Sequence, residues 1–334
     1  MTPHKASRSN GDLQLLAIYG PGRSGTTWLG SIINSHPDIA YRFEPFRNEM
    51  AVSRVRAVWE ANQAGQLSRE EVKQHLYKSL LPAHPLIDKP PFFPKNNTQL
   101  HGHQLAWRCA RKFPLFNVMC EQLYTPKGNP TIVFKEVRWK IVQPLLDILN
   151  PRSVFVLRSP HGTISSRLRG QKAGLMPTWQ CDNLEYVIEK NIPSLAKELP
   201  YPIESLSSVQ KNAVLWRLEA EVIFEYLHQH PEHMLLLYED LCIRPLEVAQ
   251  EVFKHFDISW HQQTENFITQ STSQKPTLRN NEKGINSYFS VARNTTKMAH
   301  RWSKELTTAE IDQIYEIISP SKAYQAYMKK GLWE

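Results

Sequence analysis

Short apolar runs alternate along this chain with longer stretches of helical period. Residues 15–19, 131–136, 153–157 and 234–238 are continuous apolar segments rich in branched and aromatic side chains, the pattern of strands buried on both faces. A helix is predicted over 26–35, ended by His36-Pro37, because proline pushes the residue before it out of helical geometry. A polar, helix-prone stretch covers 48–81, and the proline- and histidine-rich 82–94 reads as loop. Further helices are predicted over 141–149 and 211–228. Another carries Ala249, Val252, Phe253 and Phe256 at i, i+3, i+4, i+7 spacing. The last helix opens with a Thr307/Glu310 capping box and buries Ile311, Ile314, Tyr315 and Ile318.

Strands alternating with helices imply an α/β fold: a P-loop-like, mostly parallel sheet with helices on both faces. One domain over 13–334 is expected behind a disordered polar tail, 1–12. Residues 174–208 lack a clean period and carry Pro177, Pro193, Pro200 and Pro202. They read as an irregular helical insertion, a candidate acceptor-binding cap.

The chemistry begins where the first strand ends. Gly20-Pro21-Gly22-Arg23-Ser24-Gly25-Thr26-Thr27-Trp28 is a glycine-rich turn running into a helix that opens with two hydroxyls. That order presents backbone N–H groups and a helix N-terminus to an anion. A nucleotide-hydrolase loop would carry lysine after the second glycine. Here Thr26 stands in that place, and the cation is Arg23, three residues earlier.

The loop resembles the 5′-phosphosulfate loop of sulfotransferases that use 3′-phosphoadenosine 5′-phosphosulfate (PAPS). The continuation 32–39 and Phe43-Glu44-Pro45 are similar to the carbohydrate and tyrosyl-protein branches of that family. A second block, 153–160 with Ser165-Ser166-Arg167, resembles the 3′-phosphate site, an Arg at a strand end and a Ser eight positions on. Those are Arg158 and Ser166. A guanidinium forks two donors onto a phosphate and the hydroxyl adds a third. Ser159 stands where the family pattern has Asp. A third block, Tyr238-Glu239-Asp240-Leu241, resembles the strand whose Tyr lies near the adenosine. The resemblance covers 13–48, 131–170 and 234–256, with a fainter match at 286–304.

The resemblance implies transfer of a sulfonate from PAPS to an acceptor hydroxyl, with PAPS as co-substrate and no metal. Arg23, Ser24, Gly25, Thr26 and Thr27 would hold the 5′-phosphosulfate, Trp28 would stack on the adenine, and Tyr238 would lie beside it. Arg293, in the late basic segment, resembles a loop closing over the 3′-phosphate; a solvated basic loop is the other reading. Glu44 follows Arg23 at the spacing of the tyrosyl branch's catalytic Glu, which makes it the candidate base. An ion pair from Glu44 to Arg42 or Arg47 that only orders the loop is the alternative. Lys135 is the candidate second cation facing the sulfonate. A carbohydrate hydroxyl is the first-choice acceptor; a small secondary metabolite, a lipid or a tyrosyl peptide are the others. A P-loop kinase or NTPase, and a PAPS-binding protein without turnover, are the rival classes.

Charge agrees with an anionic partner. The formal net charge is +8, and 152–172 holds five Lys or Arg with no acid, while 275–304 holds seven against Glu282 alone. No nucleic-acid motif accompanies the charge. Cys109, Cys120, Cys181 and Cys242 have no C-x-x-C spacing, so free thiols are expected. His101-Gly102-His103 offers no third ligand and reads as loop or cleft histidine. Without a signal peptide or a stretch of the roughly 18–20 apolar residues a membrane span needs, the reading is a cytoplasmic protein, similar to bacterial relatives.

Overall fold

The structure, a computed structural model, describes residues 13–46, 53–96, 102–113, 115–137, 139–273 and 295–330. The tail expected over 1–12, Arg47, His101 and Arg293 lie outside the described residues. The chain divides into two compact units. The first comprises residues up to 19, 29–153 and 261–264; the second comprises 20–28, 154–260 and 265 onward.

The first unit is built on three strands, β1 (Leu15–Tyr19), β2 (Ile39–Phe43) and β3 (Thr131–Glu136). β3 lies between the other two and is parallel to both, with Ile18 opposite Lys135 and Phe43 opposite Lys135. All five residues of β1 are buried, as a continuous apolar run requires. β2 was not predicted. Its run is interrupted by Arg42, which is nonetheless buried because its guanidinium finds four acceptors. These are Leu80 O (2.5 Å), Leu81 O (2.5 Å), Tyr41 O (2.9 Å) and Asp88 Oδ1 (3.4 Å). Two of those carbonyls close a helix C-terminus, where a cation is favoured. The stretch 48–81 splits into helices Ser53–Gln63 and Arg69–Leu80, the second started by a Ser68/Glu71 capping box. Helices His103–Lys112 and Phe116–Tyr124 were also not anticipated.

The second unit holds β4 (Arg152–Leu157) from Val154 on and β5 (Met234–Leu237), paired in parallel. Tyr238, expected inside the strand, instead opens the helix Tyr238–Ile243. Helix Pro160–Lys172 follows β4 directly, and Ser208–Gln229 starts with a Ser207/Gln210 capping box. The insertion 174–208 resolves into short helical pieces, Trp179–Asp182, Leu184–Asn191, Leu195–Glu198 and Ile203–Ser205.

The Thr307/Glu310 capping box forms as expected. Its helix buries Ile314, Ile317 and Ile318, while Tyr315 is 56 % exposed. The buried stripe is turned by one residue from the one expected, and a further helix, Lys322–Lys330, follows it. Tyr315 packs edge-on against Tyr324 from that helix. All four cysteines are free. Among the described residues no helix is long and apolar enough to cross a membrane.

Candidate active site

The loop after β1 folds against the ends of both strands of the second unit. A Cβ on Gly20 would lie 2.3 Å from Val156 O, so the loop backbone touches the C-terminal end of β4. Gly25 adopts φ +99°, and a Cβ there would meet the Tyr238 ring at 2.2 Å. Both positions require glycine on steric grounds, and Gly25 on conformational grounds as well. Ser24 N donates to Pro21 O (3.1 Å) and Trp28 N to Gly25 O (2.9 Å), closing the turn into helix Thr26–Asn34. Three separate sequence blocks thus meet in one unit: the loop, the end of β4 and the residue after β5.

Arg23 sits at φ +78° and its Nε donates to Ser166 Oγ at 3.0 Å. This contact joins the loop after β1 to Ser166, the second residue of the pair expected at a 3′-phosphate. Arg158 is 6 % exposed; its guanidinium lies 4.6 Å over the Tyr238 ring, and its Nη2 donates to Met298 O at 3.2 Å. Its own carbonyl accepts from Trp216 Nε1 at 2.9 Å, which fixes the strand end.

Ser159, where the family pattern has Asp, is the N-cap of the helix after β4. Its Oγ accepts from Gly162 N (3.2 Å) and caps helix Pro160–Lys172, work that Ser does as well as Asp. Trp28 is buried edge-on to Tyr238, with ring centroids 6.3 Å apart. Burial raises the Tyr238 hydroxyl well above the ordinary phenol range, so it stays protonated.

Sequence reasoning missed two supports of this cradle. Glu239, fully buried, accepts from Ser159 N (3.0 Å) and Tyr327 OH (2.8 Å) and lies 4.0 Å from Arg158 Nε. Its place beside Tyr238 in the third block was the available signal. Arg167 pairs with Glu219 at 2.5 Å and reaches Gly22 O at 3.4 Å, holding the loop from outside.

Four buried donor atoms here have no hydrogen-bond partner among the described residues: Ser24 Oγ, Trp28 Nε1, Arg158 Nε and Arg167 Nη1. Unsatisfied buried donors are costly, about 1–3 kcal/mol each. Three of them, Ser24 Oγ, Trp28 Nε1 and Arg158 Nε, lie on the loop 20–28 and the end of β4, which fits a ligand that brings acceptor oxygens, as a phosphate or phosphosulfate does. Ser24, Trp28 and Arg158 are therefore the residues suited to hold such a donor.

Glu44 and Lys135 belong to the first unit and form a buried ion pair, Lys135 Nζ to Glu44 Oε1, with Glu44 4 % and Lys135 2 % exposed. Lys135 Nζ also lies 4.6 Å over the Phe43 ring. Glu44 follows β2 at φ +48°, and its N donates to Lys135 O at 2.7 Å, continuing the parallel pairing of β2 with β3. Lys135 is a partner of Glu44 among the described residues, and Arg42 pairs with Asp88. Four non-glycine residues have positive φ among the described residues: Arg23, Glu44, Asn150 and Asp257. Asn and Asp tolerate that region; Arg and Glu do so at a cost of order 1–3 kcal/mol, the sort of strain found at working sites.

His103 Nε2 contacts Asp88 Oδ2 at 2.9 Å, and its ring stacks on Tyr124. One group could approach metal-ligand geometry among the described residues: His230, Glu232 and His233, whose ligand atoms lie within 4.8 Å of one another. It stands just before β5, at the opposite end of that strand from Tyr238.

Comparison with known proteins fits this geometry. Residues 14–330 match the family described as "Sulfotransferase domain", across both compact units. The chain is 20% identical over 344 residues to "Carbohydrate sulfotransferase 4" of Mus musculus, covering 93% of this chain and 81% of that protein. Among solved structures it is similar to the sulfotransferase domain of the Synechococcus PCC 7002 olefin synthase, with TM-score 0.44, 12% identity and coverage of 95% of this chain and 97% of the other. It is similar also to mouse sulfotransferase SULT7A1 complexed with PAP, with TM-score 0.46, 10% identity and coverage of 96% and 90%. The match over 14–330, rather than these distant likenesses, assigns the chain: it belongs to the sulfotransferase family and is an enzyme of the PAPS-dependent kind.

Proposed function

We propose that this enzyme moves the sulfonate of PAPS to a carbohydrate hydroxyl, with the donor held by the loop 20–28, Arg158 and Ser166. The observation that carries the donor assignment is the group of buried donors at Ser24, Trp28 and Arg158 that have no acceptor among the described residues. In this reading Arg23 and the Thr26 and Thr27 hydroxyls stabilise the charge that develops on the leaving 5′-phosphate oxygen. Arg158 and Ser166 grip the 3′-phosphate. Trp28 and Tyr238 supply the apolar wall for adenine.

Glu44 accepts the proton of the attacking hydroxyl. The new bond forms between the acceptor oxygen and sulfur as the bond from sulfur to the 5′-phosphate oxygen breaks. The products are the sulfate ester and 3′-phosphoadenosine 5′-phosphate (PAP). Lys135 pairs with Glu44 and adds positive charge for the sulfonate. The short helices of 174–208 cap the acceptor. The carbohydrate acceptor is supported by the Phe43-Glu44-Pro45 motif and by the 20% identity to a carbohydrate sulfotransferase.

The test is to incubate the purified chain with PAPS and an extract of its source cells, then search by mass for sulfonated products. A sulfonated saccharide supports the reading. Sulfonated lipid, peptide or small metabolite would replace the acceptor class. ATP turnover that requires magnesium, without PAPS consumption, would overturn the donor assignment.

A further inference from the structure

The first unit carries a surface that sulfonate transfer does not explain. Of the fourteen exposed large hydrophobic residues among the described ones, seven fall within 105–123: Leu105, Phe113, Leu115, Phe116, Val118, Met119 and Leu123. Helix Phe116–Tyr124 is amphipathic in an unusual sense. One stripe, Cys120 and Tyr124, packs on Ala83 and Ala110 as a small core. A neighbouring stripe, Phe116, Met119 and Leu123 at i, i+3, i+7, is exposed, and Leu115 (93 % exposed) and Val118 lie on the side away from Cys120 and Tyr124. Scattered exposed apolar residues need no explanation, but half of those among the described residues fall within 105–123, a concentration that points to an interaction site.

The neighbouring helix supplies charge of one sign. Arg108, Arg111 and Lys112 are exposed on helix His103–Lys112. The only acid between 102 and 124 is Glu121, and it is paired with Arg54 at 3.1 Å. The hairpin is also firmly seated. His103 bonds Asp88 and stacks on Tyr124 at 4.2 Å, and Trp107 Nε1 donates to Asp88 O at 3.0 Å. The patch is therefore a presented face and not a loosely attached segment.

We infer that this helical hairpin is a peripheral docking element for an anionic lipid surface. The apolar stripe of Phe116–Tyr124 enters the headgroup boundary, and Arg108, Arg111 and Lys112 meet the lipid phosphates. A nine-residue helix is about 13 Å long, too short to span a bilayer and suited to lying in its interface. Charge complementarity favours this occupant over a second copy. A second copy would bring the same basic surface and no compensating acid, since Glu121 is already paired with Arg54. The inference is independent of which acceptor hydroxyl the enzyme uses.

The test is co-sedimentation of the full chain with phosphatidylcholine vesicles, with and without about 30% phosphatidylglycerol. The expected result is binding at least about tenfold stronger to the anionic vesicles, weakened by salt. Leu115→Glu with Val118→Glu should abolish it, and Arg108→Gln with Arg111→Gln and Lys112→Gln should erase the anionic preference. Both variants change exposed positions, so PAP should still raise their melting temperature as it does for the parent. No sedimentation with either vesicle overturns the inference, as does equal binding to neutral vesicles. A dimer in light scattering that Leu115→Glu abolishes, without vesicle binding, would assign the face to a second copy instead.

Discussion

Replacing Glu44 by Gln separates a catalytic carboxylate from a structural one, provided stability is measured alongside transfer. Glu44 and Lys135 are 4 % and 2 % exposed and pair with each other. Removing one member of such a pair leaves the other charge buried, which typically costs 3–5 kcal/mol. Glu44→Gln keeps an oxygen where Oε1 stood, so the lower end applies, about 3 kcal/mol. Lys135→Met leaves the carboxylate exposed to the same penalty and loses the contact of Nζ with the Phe43 ring, a cost of about 3–5 kcal/mol. The double variant removes both charges and should return to within about 2 kcal/mol of the parent, a coupling of about 3 kcal/mol or more. Urea unfolding gives these numbers, and PAP formation from PAPS with an accepted saccharide gives the rate. If Glu44 is the base, the stable double variant still transfers about 10²–10⁴-fold more slowly. If the double variant regains both stability and a rate within about tenfold of the parent, the pair is structural and the reasoning fails.

Three further outcomes follow from the same structure. Gly25→Ala places a methyl 2.2 Å from the Tyr238 ring at φ +99° and should abolish PAP binding in calorimetry. Gly65→Ala, at φ +67° with open space around it, should cost only about 1 kcal/mol and leave PAP binding intact. His161 is stacked on Trp302, and burial pushes its imidazole down to about 4. Between about pH 6.5 and 4 the unfolded chain therefore takes a proton that the folded chain refuses, so stability falls as pH falls through that window. The parent should lose about 2 kcal/mol more than His161→Phe between pH 7 and pH 5; equal losses in urea titrations would refute the assignment.

The meeting of Arg23, Arg158, Ser166 and Tyr238 around the loop after β1 was legible because these residues lie in short contiguous blocks. Arg23, Arg158, Ser166 and Tyr238 were each marked by a local motif, and parallel strand pairing brings strand ends to one edge. What the sequence hid depends on distant partners. Arg42 reads as a surface residue until the carbonyls of Leu80 and Leu81 are in place, so β2 went unread. Glu44 was a base candidate with Arg42 or Arg47 as its alternative partner; Lys135, which pairs with it, is ninety-one positions away, and Arg47 lies outside the described residues. The capping boxes at Ser68 and Ser207 were readable as S-x-x-E and S-x-x-Q and were passed over beside louder motifs. Tyr315 was misplaced because its helix offers an isoleucine on each of two adjacent stripes, and only the packed neighbours choose between them.

The central claim is that Arg158 and Ser166 recognise a 3′-phosphate on a nucleotide whose other end lies in the loop after β1. The most direct measurement is calorimetric binding of PAP against 5′-AMP, which lacks that phosphate, to the parent and to Arg158→Met. The account predicts that the parent prefers PAP by at least about tenfold, the worth of one charge-assisted phosphate contact, and that Arg158→Met binds the two alike. A parent that binds AMP as tightly as PAP, or an Arg158→Met that keeps the preference, would contradict it.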